Sequence, residues 1–146
     1  MSNKRRKIAT LIESCQGQEM DAHYLGYFVC FNRGQFYESH EVLEELWLSA
    51  RRGPNGAFYK GLIQFAGAFV HLQKHTPSRP RLGPAAALLR LARGNFQKYP
   101  PIHEQLDLSQ VKRLIEEWLA RLASEEFATN PLTPHNAPRL RLSTPR

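Results

Sequence analysis

Phe36-Tyr37-Glu38-Ser39-His40-Glu41-Val42-Leu43-Glu44-Glu45-Leu46-Trp47 decides how this chain is read. Wound at about 100° per residue, the stretch separates into faces. Phe36, Leu43, Leu46 and Trp47 share an apolar face, with His40 at its margin and Trp47 expected in the core. Tyr37, Glu41, Glu44 and Leu48 make a second stripe. Two carboxylates bracketed by an aromatic and an aliphatic side chain imply that this stripe is partly covered too. Glu38 and Glu45 fall on the solvent side. The pattern predicts a central helix on which His40, Glu41 and Glu44 are semi-buried together.

Turn signals on either side set its limits at about 36–51. Gly34 supplies the left-handed residue that ends a preceding helix, and Gly53-Pro54-Asn55-Gly56 ends this one. The preceding helix spans roughly Asp21 to Arg33, with Asp21 as N-cap and Leu25, Phe28 and Val29 at helical spacing. A third helix runs from about Ala57 to His75, and Thr76 to Gly83 reads as an exposed loop. Pro84 fits the first turn of a fourth helix that reaches about Arg93, before Gly94. Asp107-Leu108-Ser109-Gln110 resembles a capped start, and Val111, Leu114, Ile115, Trp118 and Leu122 mark the core face of a fifth helix. Arg33-Gly34-Gln35-Phe36 is echoed by Arg93-Gly94-Asn95-Phe96, which reads as shared turn chemistry and not as a repeat.

The fold class is therefore all-α: a compact bundle of about five helices around the central pair at about 36–51 and 57–75. A basic segment occupies residues 1–20, one helical domain residues 21–128, and a Pro/Arg-rich, flexible, disordered-looking tail residues 129–146.

Length and composition agree. A chain of 146 residues with 42% hydrophobic content builds one core without staples. Cys15 and Cys30 show no metal-ligand spacing, and Cys30 reads as a small core residue in a reducing compartment. No run approaches the ~20 apolar residues of a membrane span, so no membrane association is expected and the cytoplasm is the default. The formal charge of +7 invites a nucleic-acid reading. Much of the excess, however, sits at the ends, in Lys4 to Lys7 and in Arg139, Arg141 and Arg146, with no nucleic-acid motif beside it. Nucleic acid is not the expected partner; a homo-oligomer or a protein partner stays open.

His40 and Glu44 are four apart and meet on one surface. The spacing resembles half of H-E-x-x-H, with Glu44 where the second histidine would stand. Such a pair suits a divalent metal or an acid/base couple, and further ligands must come from elsewhere. The third helix offers Lys60, Gln64, Gly67, His71 and Lys74 as one polar stripe. Folded back antiparallel, it brings Gln64 level with Glu44, and His71 level with His40. If the stripe faces the second helix, His40, Glu41, Glu44, Gln64 and His71 converge; if it faces water, it is an amphipathic surface.

The run from Phe31 to Trp47, followed by Phe58-Tyr59-Lys60-Gly61-Leu62-Ile63-Gln64-Phe65-Ala66 and His71, resembles the family catalogued as domain of unknown function 309. The likeness covers about residues 21–100. It implies a compact all-α domain and brings no established activity. The family's polar signature falls on Asn32, His40, Glu41, Glu44, Gln64 and His71.

Two functional readings follow. In the first, metal-assisted hydrolase-like chemistry, His40, Glu41 and Glu44 are catalytic, and Asn32, Gln64 and His71 bind substrate. The ligands of a divalent metal are then His40, Glu44 and His71. In the second, a non-enzymatic binding or adaptor module, the same polar groups form a structural hydrogen-bond network.

Overall fold

The computed structural model describes residues 3–15 and 20–143. Arg146 lies outside them, as do the side chains of Lys4 and Cys15. The order is α1 (Asn3–Cys15), α2 (Ala22–Asn32), α3 (Phe36–Ala50), α4 (Gly56–Lys74), α5 (Leu82–Phe96), β1 (Ile102–His103), β2 (Leu106–Asp107) and α6 (Leu108–Ser124). The chain is predominantly helical; the two strands form only a small antiparallel hairpin.

Local chemistry accounts for the boundaries. The Asp21 carboxylate accepts from the backbone N–H of His23 at 2.7 Å and of Tyr24 at 3.4 Å, which caps α2. Gly34 takes φ 73°, a left-handed conformation that glycine adopts without a Cβ penalty, and α3 starts two residues later. Asp107 caps α6 through Ser109 N–H at 2.9 Å and the Ser109 hydroxyl at 2.6 Å. These bonds hold the Asp107 carboxyl below its ordinary value, because they favour the charged form.

α4 is the axis of the bundle. Phe58, Leu62, Phe65, Ala66, Phe69 and Leu72 are wholly buried, and Phe65 stacks on Phe31 at 5.4 Å between ring centroids. Phe69 meets Phe36 of α3 and the edge of Trp118 of α6, both at 5.2 Å. A Cβ on Gly61 would stand 2.8 Å from Phe96, so glycine lets α5 lie directly on α4. Phe96 must be helical to reach this seat, and α5 therefore passes through Gly94, where it was expected to stop. The echo of Arg33–Phe36 at Arg93–Phe96 is thus a turn in one copy and a helix in the other.

Three features depart from the sequence reading. The N-terminal basic segment contains a helix, α1, which seats Ile8 against Cys30 and Val42 in a small second cluster. The β1–β2 hairpin turns on Glu104 and Gln105, both at positive φ, without the glycine that usually marks such turns. Residues 129–143 have the irregular backbone their prolines require, yet they lie on the helices. Leu140 is 3% exposed, Leu142 bridges to Leu106, and the Ser143 N–H donates to the Gln105 carbonyl at 2.7 Å.

A candidate metal centre on the third helix

α3 buries Phe36, Ser39, Val42 and Leu43 and leaves its opposite side half open. His40, Glu41 and Glu44 lie there, and one ligand atom from each falls within 4.8 Å of the other two. This is the group of three or more potential metal ligands found among the described residues. The His40 Nδ1 is 3.5 Å from Glu41 Oε1, and Nε2 is 3.5 Å from Glu44 Oε2. Both separations exceed the 2.7–3.2 Å range of a good hydrogen bond. His40 Nδ1 is shielded from solvent and makes no hydrogen bond among the described residues. Donors bound at about 2.0–2.1 Å to one tetrahedral ion stand roughly 3.3 Å apart, close to either imidazole–carboxylate separation. The Tyr37 ring stacks on His40 at 6.2 Å and forms one wall.

Beside this cluster runs the polar stripe of α4. Its ends touch α3: the Lys60 ammonium lies 4.4 Å from the Trp47 ring centroid, and that of Lys74 5.1 Å from the Tyr37 ring. The antiparallel register expected for the central pair is therefore present. The middle of the stripe turns to α5 instead. Asn95 Nδ2 donates to Gln64 Oε1 at 2.7 Å, Gly67 lies under Leu88, and His71 Nδ1 is 3.5 Å from Arg81 Nη1. The stripe thus touches α3 at its ends and α5 at its middle. Trp47, expected in the core, is half-buried under Lys60.

The six residues singled out by sequence therefore do not converge as one set. His40, Glu41 and Glu44 come together. Gln64 and His71 engage α5 and stand outside the ligand cluster. Asn32 is elsewhere: its side chain donates to the Leu140 carbonyl at 2.8 Å and accepts from the Leu140 N–H at 2.7 Å, which clamps the C-terminal segment. Burial first, then Arg81 and Lys74, push the His71 imidazole below its ordinary value, so it is neutral at pH 7. Sequence reasoning missed Arg81 and Asn95. Both lie on α5 or at its start, and nothing in α3 or α4 says which neighbour the stripe meets.

No helix among the described residues is long and apolar enough to cross a membrane. Neither the curated proteins nor the solved structures contain a match to the chain. One family model does match, that described as Domain of unknown function (DUF309), over residues 24–79. The stretch runs from the first turn of α2 through α3 and α4, stopping short of α5, where the sequence likeness had been extended to about residue 100. On this match, the helix that carries His40, Glu41 and Glu44 lies in a segment similar to the DUF309 domain, the family that the sequence likeness also pointed to.

Proposed function

We propose that the chain binds a divalent cation through His40, Glu41 and Glu44 and uses it for metal-assisted, hydrolase-like chemistry on a ligand lying along the α4 stripe. The observation that carries this reading is the trio of ligand atoms within 4.8 Å on one turn of a single helix. A histidine with two carboxylates suits zinc and its first-row neighbours better than calcium, which prefers all-oxygen sites. Three protein donors leave a coordination position for water or a ligand, as catalytic zinc sites do. Held by His40, Glu41 and Glu44, a cation would supply Lewis-acid chemistry and a bound water of lowered pKa. At the far end of the stripe, Arg81, Lys74 and neutral His71 supply donors for an anionic ligand group.

Thermal unfolding with and without added Zn²⁺ or Mn²⁺ tests the proposal. A cation that binds only the folded state raises the midpoint in proportion to the logarithm of its concentration. His40→Ala should abolish that rise, and Glu44→Gln should blunt it. No rise for the parent protein with any first-row cation would remove the metal reading.

A second reading draws on the placement of Asn32 and Gln64, each satisfied within the fold. In it, the polar signature fixes helices and the domain is a non-enzymatic binding module. Glu44→Gln would then cost stability with or without metal.

A further inference from the structure

The outer face of α2 offers a second, chemically opposite surface. Two depressions of about 630 and 960 Å³ meet there, and both are lined by Val29. Their floor is aliphatic, with Leu25 and Val29 one helical turn apart and half-buried. Arg6, Lys7 and Arg33 edge one side, and Arg113, Arg139 and Arg141 edge the other. All six are exposed, and among the described residues none is joined to an acid by an ion pair. Only Glu38 and Asp107 counter them within the lining, and Asp107 is committed to capping α6. Much of the chain's charge of +7 is thereby gathered round one apolar strip.

We propose that this face is a docking surface for an acidic amphipathic helix of a partner protein. An amphipathic helix lays a leucine-type stripe into a groove, and flanking glutamates would meet cations on both banks. Charge complementarity of this kind sets orientation and speeds encounter. A nucleic acid fits less well: single strands bind on exposed aromatic rings, and Phe28, the aromatic residue in the lining, is 5% exposed. A lipid surface fits less well because the face is concave.

The test is fluorescence anisotropy on the full chain with a labelled 18-residue helical peptide. The peptide carries leucines along one face and glutamates on both flanks. Its scrambled isomer and an RNA oligonucleotide of equal length are the comparators. The peptide should bind at least about tenfold more tightly than either, and less tightly as salt rises. Val29→Glu should weaken it about tenfold. Arg113→Glu with Arg141→Glu, both exposed and safe for folding, should do the same with an unchanged melting temperature. Equal binding of the scrambled peptide, tighter binding of RNA, or no peptide binding would each overturn the proposal. So would concentration-dependent doubling of the mass without peptide, which would give the face to a second copy of the chain.

Discussion

The open side of α3 and the outer face of α2 are built in contrasting ways. On α3, three ligand atoms come from one turn of one helix, so the backbone alone brings His40, Glu41 and Glu44 within 4.8 Å. On α2, the lining is drawn from α1, α2, α3, α6 and the C-terminal segment, and the cations of the two banks come from different elements. A site written into local spacing survives changes far from it. An assembled surface exists only while the remote pieces stay docked, and Asn32 and Leu140 hold the last of them.

The sharpest way to break this contrast is to undock the C-terminal segment. Leu140→Ala should cost about 2–5 kcal/mol, as for a buried leucine whose site cannot fully collapse. Urea unfolding measures the loss. The same variant should lose affinity for the acidic peptide while its response to Zn²⁺ is kept. If both responses fell together, the two faces would not be separable in the way described. Asn32→Ala removes two hydrogen bonds to one backbone residue and should cost about 2 kcal/mol, again with cation binding intact. That outcome would fix Asn32 as a clamp and take it out of any ligand-binding role.

Glu44→Gln tests the other region and should change metal-free stability by only about 0.5 kcal/mol, because the carboxylate is half exposed and its ion pair screened. A loss several times larger would favour the structural network. The smallest effect concerns pH. The His71 imidazole is held below 6.5, so as pH falls through 6.5 the unfolded chain takes up a proton before the folded one. Stability should therefore fall as pH drops from 6.5 toward the lowered folded value and be unaffected by this group above 6.5. His71→Gln should flatten that part of the urea-midpoint profile.

This contrast also explains what could be read in advance. The helices from α2 to α6 were legible because periodicity, two aspartate caps and Gly34 are local signals. So was the His40–Glu41–Glu44 group, whose geometry follows from one helix. The partner of the α4 stripe was not legible: a helical wheel gives the face but not the neighbour, and Gln64 and His71 went to α5. α1 escaped because Lys4 to Lys7 read as a charge run, and the seat of Ile8 depends on Cys30 and Val42. The hairpin escaped because Glu104-Gln105 lacks the usual turn residues. The basic α2 face was invisible, since Arg139 and Arg141 read as tail residues until Leu140 is seen buried between them.

Equilibrium dialysis against Zn²⁺, with the parent protein and His40→Ala side by side, asks whether α3 holds a cation at all. The parent should retain about one equivalent, in a site with three protein donors, and the variant should lose it with the fold intact by circular dichroism. Equal uptake by the two proteins, or less than about a tenth of an equivalent in the parent, would contradict it.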